Sequence, residues 1–211
     1  MHRFFGRLWR QRIDWELESR SDTDDGAQAV LERVEGRLLT MLEMVNEWLQ
    51  FAEAKNAGLV ALDGLALAAI LTILPEVVVP EAMTAGLVAA SLLLLVSLGI
   101  SLWSFLPRSD LGNLVSPVGR RPRATDNLYY FGDVCGYRPE QLATEIARRY
   151  DRIRDYDAAQ NLSHVDIASQ VIANSCITVA KNRSFKVATW IALLALMTAA
   201  VGVVVALVDA F

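Results

Sequence analysis

From Ala82 to Leu106 the chain reads AMTAGLVAASLLLLVSLGISLWSFL, 25 residues without a charged side chain. A helix of that length crosses the roughly 30 Å hydrocarbon core of a bilayer. Two further runs flank it in the sequence. Ala57 to Leu74 reads AGLVALDGLALAAILTIL, broken only by Asp63, and Val187 to Val208 is again uncharged. The fold class that follows is an all-α membrane protein, three transmembrane helices with a small cytosolic helical bundle. The composition agrees: 54% of the 211 residues are hydrophobic, 21% are charged, and the net charge is -4. Too little polar chain is left for a large soluble enzyme.

The spans divide the chain. Residues 1–26 form a basic then acidic N-terminal segment, 27–56 a cytosolic amphipathic helix, 57–74 and 82–106 the first two spans, 107–186 a cytosolic loop with helices, and 187–208 the third span. Only PEVVVPE, with Pro75 and Pro80, joins the first two spans, which suits a tight hairpin. Of the 20 Lys and Arg residues, 8 lie in 1–56 and 12 in 108–186. Basic residues resist translocation, so the N-terminus is expected in the cytosol and the C-terminus outside. Trp103 and Trp190 then fall near the headgroups. MHRFFGRLWRQR carries four arginines and no following apolar core, so it is not a signal peptide. A basic helix on anionic lipid and a frayed terminus both fit it.

In the cytosolic part, Leu31, Val34, Leu38, Met41, Leu42, Val45 and Trp48 recur at helical spacing, and no proline precedes Pro75, so this helix is expected to run into the first span. A second helix is expected after Pro139, with Leu142, Ile146, Tyr150 and Ile153 on one stripe. A third, from about Leu162, carries Leu162, Val165, Ala168, Ile172, Cys176 and Val179 and continues into the last span. The linker PRSDLGNLVSPVGRRPRATDN reads as a loop, and the following LYYFGDVCGYRP as too short and turn-rich for a helix. Small residues at Gly86 and Ala90, and at Thr198, Gly202 and Ala206, mark faces for close helix contact. Three spans cannot easily enclose a pore alone, so a homo-oligomer through such faces is expected.

Catalytic and metal chemistry have little material. Cys135 and Cys176 form no ligand-spaced pair, so neither structural zinc nor a disulfide framework is expected, and His2 and His164 lie outside any metal motif. No P-loop or GxSxG is present. The expectation is a non-enzyme with no cofactor and no nucleic-acid partner. Binding residues are better represented. Gln170, Asn174 and Lys181 return close to one helix face, Asn56 and Asp63 are seven apart, and Lys55 stands beside them. With Tyr130, Phe131 and Asp133 folding over, amides, a cation and aromatic rings would suit a small nucleotide. A solvated face or satisfied inter-helix contacts would use the same residues. Asp63 lies inside a span, where a charge is costly, and fits an ion path, a structural hydrogen bond or a protonated acid.

FAEAKNAGLVALDGLAL, NLYYFGDV and DIASQVIANSCITVAKN leading into a final span resemble the transmembrane effectors of Pycsar anti-phage systems over about Leu38 to Val208. The resemblance rests on Glu53 and Lys55 ahead of the first span, the Tyr-Phe-Gly-Asp turn at 130–133, and the Gln170 to Lys181 spacing. Asn56 and Asn182 depart from the usual pattern, in which a small residue and an aromatic follow the two lysines. The resemblance implies an effector that binds a cyclic pyrimidine mononucleotide, cCMP or cUMP, from an adjacent cyclase and impairs the inner membrane, killing the infected cell. The rival readings are a constitutive small channel, with Asp63 on its path, and a membrane-anchored helical adaptor.

Overall fold

A computed structural model describes residues 2–75, 80–106 and 122–209, with side chains from Gln28 onward. The hairpin link at 76–79, most of the loop expected from 107, the basic N-terminal side chains and the last two residues lie outside the described residues. Among the described residues all regular structure is helical. Helix α1 (His2–Ile73) and the last helix, α5 (Leu162–Asp209), are 72 and 48 residues long and each includes an apolar stretch long enough to cross a membrane. Helix α2 (Glu81–Trp103) is the third such helix. It starts directly after Pro80, whose ring fixes φ at -54° and whose missing N–H costs nothing at a helix start. No proline interrupts α1 or α5, so each passes unbroken from bundle into span, as the sequence predicts.

Among the described residues, two short α-helices and a 3-10 turn (Ala158–Gln160) complete the bundle. One-turn α3 (Phe131–Val134) stands where the glycine-bearing aromatic segment is expected to form no helix, and α4 (Pro139–Tyr150) starts at its proline. The Arg138 N–H donates to the Gln141 side chain at 3.2 Å and closes the N-terminal end of α4. At the other end Arg152 takes φ 58°, and the Ile153 N–H turns back to the Ala147 carbonyl at 3.1 Å. The bundle core is built from Val34, Leu38, Met41 and Val45 of α1, Leu142 and Ile146 of α4, and Ala168, Val171 and Ile172 of α5, around a fully buried Tyr137. Trp48, Tyr150 and Leu162, placed by periodicity on the apolar stripes, stand exposed.

Cys135 and Cys176 are joined as a disulfide, with Cα atoms 4.8 Å apart. This corrects the expectation drawn from their spacing. The fold lays the chain after α3 against α5, so residues 41 apart meet; motif spacing reports local ligand pairs and is blind to such a contact.

In the membrane half α2 and α5 approach through glycine. A Cβ on Gly86 would lie 2.9 Å from the Gly202 Cα, and one on Gly202 would lie 3.1 Å from the Gly86 Cα. Neither position admits a side chain without separating the helices. The small-residue face expected to serve helix contact therefore serves it within one chain, with Ala90 buried beside it. Large apolar residues such as Leu65, Leu92, Met197 and Val208 point outward, as lipid-facing side chains do. Trp103 and Trp190 are exposed on the same surfaces.

Candidate functional site

Where α1 and α5 pass from bundle to span, a cavity of 500 Å³ opens between them and the α3 turn. Trp48 and Lys55 line it from α1, Tyr130, Phe131 and Gly132 from the turn, and Val179 and Asn182 from α5. The rings form a continuous wall. Trp48 and Phe131 have centroids 5.7 Å apart, Tyr130 and Phe131 4.8 Å, and Trp48 and Phe51 6.4 Å. Gly132 permits this, because a Cβ there would run into the Tyr130 ring.

The turn is fixed by its own polar groups. The Asn127 side chain accepts from the Tyr129 N–H at 3.0 Å, and the Asp133 carboxylate accepts from the Asn127 N–H at 3.1 Å. Behind it, the Tyr137 hydroxyl donates to Asp126 at 2.8 Å; burial and this acidic neighbour push the Tyr137 pKa up to about 12, so the phenol keeps its proton. Arg149 ties the same loop down, donating to the Asp126 and Arg123 carbonyls at 3.1 and 2.7 Å.

Lys55 supplies the charge of the cavity. Its ammonium donates to the Asn182 Oδ1 at 3.0 Å and lies 4.6 Å from the Phe51 ring centroid and 5.4 Å from that of Phe185. No carboxylate pairs with it among the described residues. Aromatic faces and one amide oxygen hold a cation in place without neutralising it, which leaves it available to an anion. A second cavity of 500 Å³, lined by Val30, Leu31 and residues of the 151–161 segment, has Asp155 and Asp157 beside Arg152, and its Asp151 is paired with Arg37 at 3.2 Å.

The other residues singled out from the sequence lie elsewhere. Lys181 is buried and turned from the cavity, donating to the Ser104 carbonyl at 3.0 Å and pairing with Glu53 at 3.1 Å. Asn56 is 1% exposed, and its amide donates to the Ser104 hydroxyl at 3.2 Å. Asn174 donates to Asn46 at 2.8 Å, and Gln170 is exposed on the bundle. Asp63 is fully buried: the Ser97 hydroxyl lies 2.6 Å from its Oδ2 and 3.0 Å from the Ala188 carbonyl, so this one hydroxyl joins all three spans. Oδ1 of Asn56, Oδ1 of Asp63 and Oγ of Ser101 are buried with no protein partner.

Against known families, the Pycsar effector protein domain matches residues 37–208. The chain belongs to the Pycsar effector family. Membership supports a role in Pycsar anti-phage defence, and the helical architecture with three membrane-length helices fits a non-enzyme. No curated protein and no solved structure matches the chain. The match begins at Arg37 and so takes in the whole cavity of this Pycsar effector. Sequence reasoning reaches Lys55, Tyr130 and Phe131 and misses Trp48, which reads as one more apolar residue of its stripe. It also misses Asn182 as a contact, although that residue is visible as a departure from the family pattern.

Proposed function

We propose that this Pycsar effector is switched on by a cyclic pyrimidine mononucleotide, cCMP or cUMP, made by a partner cyclase, and that it then impairs the inner membrane and causes abortive infection. The observation that carries this reading is the unneutralised Lys55 at the aromatic cavity. A cyclic mononucleotide offers a flat base and a singly charged phosphodiester, and the cavity offers rings for the first and an ammonium for the second. Its volume falls in the range of about 300–1,000 Å³ common for small-ligand sites. Asn182 lines the same cavity, and its amide N–H groups can donate to a base carbonyl. Cytosine and uracil both present one at O2, so this contact accepts either base.

On this reading the bundle faces the cytosol, where the cyclase product is made, and the chain acts as a homo-oligomer in the bilayer. The test is dye release from liposomes holding the purified full chain, titrated separately with cCMP, cUMP, cAMP and cGMP. Release with a pyrimidine nucleotide alone is the expected result. Release without nucleotide would instead identify a constitutive channel, for which the buried Asp63 is the feature in favour, and no release at all would favour an adaptor.

A further inference from the structure

Two pairs of neighbouring residues meet at the boundary between bundle and spans: Lys55 and Asn56 on α1, Lys181 and Asn182 on α5. Lys55 and Asn182 face the cavity and bond to each other at 3.0 Å. Asn56 and Lys181 face the end of α2, and both bind Ser104, one at its hydroxyl and the other at its carbonyl. Successive helix residues point about 100° apart, so one stretch of each helix presents one residue to the cavity and its neighbour to Ser104. A rotation of either helix moves both contacts together.

We propose that Ser104 is the point at which a ligand in the cavity acts on the membrane spans, with Lys181 and Asn56 as the positioning residues that grip it. This rests on the nucleotide reading of the cavity. An anionic phosphodiester draws the Lys55 ammonium away from Asn182 and so breaks one of the two side-chain ties between α1 and α5 at this level, the other being the Glu53–Lys181 ion pair. The helices then turn, and the adjoining Asn56 and Lys181 leave Ser104. The Ser104 carbonyl lies at the C-terminal end of α2, where helix carbonyls lack intrahelical partners and the helix dipole is negative, so a lysine there is a strong hold. Beyond that grip, the Asn56 Oδ1 and the Ser101 hydroxyl are buried at the same junction with no protein partner.

The experiment uses the full chain in phosphatidylethanolamine and phosphatidylglycerol liposomes, with dye release and nucleotide binding measured separately. Lys181→Met removes the Ser104 bond and the Glu53 ion pair together, and should release dye without nucleotide, roughly tenfold or more above the wild type, at least the scale of one charge-assisted hydrogen bond. It should still bind cCMP or cUMP, because Lys181 does not line the cavity. Lys181→Arg should restore a low baseline and nucleotide dependence. Wild-type nucleotide dependence in Lys181→Met, or loss of nucleotide binding in it, would overturn the proposal. Should Lys181→Met fail to insert, Ser104→Ala removes the Asn56 bond alone and should raise the baseline by a smaller factor; an unchanged baseline there is equally fatal. If the wild type binds no nucleotide, the reading of the cavity fails, whereas ligand-free release by Lys181→Met still decides whether the grip on Ser104 holds the spans closed.

Discussion

Lys55 and Lys181 stand at the same boundary on facing helices, and their surroundings give them opposite roles. Lys181 is buried, paired with Glu53 and bonded to the end of α2, so its charge is spent inside the protein. Lys55 has rings and one amide around it and no paired carboxylate among the described residues. A lysine ahead of a span is read by its partners, not by its position: a paired one holds structure, and an unpaired one in an aromatic cavity fits the binding role proposed for Lys55.

The sharpest way to break this comparison is to remove each charge in turn. Lys55→Gln should lower nucleotide affinity about ten- to hundredfold, the cost of one charge-assisted hydrogen bond, and abolish nucleotide-driven dye release. Lys181→Met should leave that affinity unchanged and raise the ligand-free baseline. Equal behaviour of the two variants, in calorimetric binding and in dye release, would mean that the two lysines share one role.

A second contrast lies between the glycine contact in the membrane half and the aromatic wall above it. Gly86→Leu must push α2 off α5, since the Cβ alone meets the Gly202 backbone at 2.9 Å. Overpacking of this kind costs about 1–3 kcal/mol or more, so the melting temperature in detergent should fall clearly, whatever the nucleotide. Trp48→Ala should leave melting nearly unchanged, because Trp48 is 45% exposed, and lower nucleotide affinity by roughly tenfold, as loss of one stacking ring does. A Trp48→Ala variant that melts early and binds normally would move Trp48 from the site to the scaffold.

What the sequence discloses divides along the same line. The three spans and the continuity of α1 and α5 are legible because run length, helical period and the absence of proline are one-dimensional properties. The cavity is half legible. Lys55, Tyr130 and Phe131 declare themselves by chemistry, but Asn56 and Lys181 sit one position from cavity residues, and one position on a helix is enough to face another neighbour. Whether Trp48 packs or lines a cavity depends on what covers the helix at that turn, and no periodicity reports that. The Cys135–Cys176 bond and the Gly86 contact with Gly202 likewise depend on how separate segments come together.

The smallest effect concerns the end of the bundle farthest from the membrane. His164 is 3% exposed and stacked on Tyr156, whose hydroxyl lies 2.9 Å from Nδ1. Burial holds the Tyr156 pKa up at about 12, so this phenol stays protonated and donates to Nδ1 when the imidazole carries its hydrogen on Nε2. Burial also lowers the His164 pKa from its ordinary 6.5, although the charge of Glu35 acts the other way. A histidine depressed in the folded state takes up its proton more readily when unfolded, so stability rises with pH wherever the unfolded chain holds more protons. The contribution of His164 is therefore complete above 6.5 and is lost as the pH falls from there through the depressed folded value. Melting of the full chain in detergent, followed between about pH 8 and about pH 5, should show this loss, and His164→Phe should flatten it by up to about 1.4 kcal/mol per pH unit. The cavity lies elsewhere on the bundle, so nucleotide affinity at neutral pH should not change in that variant. An unaltered slope would mean that carboxylates alone set the acid limit of the bundle.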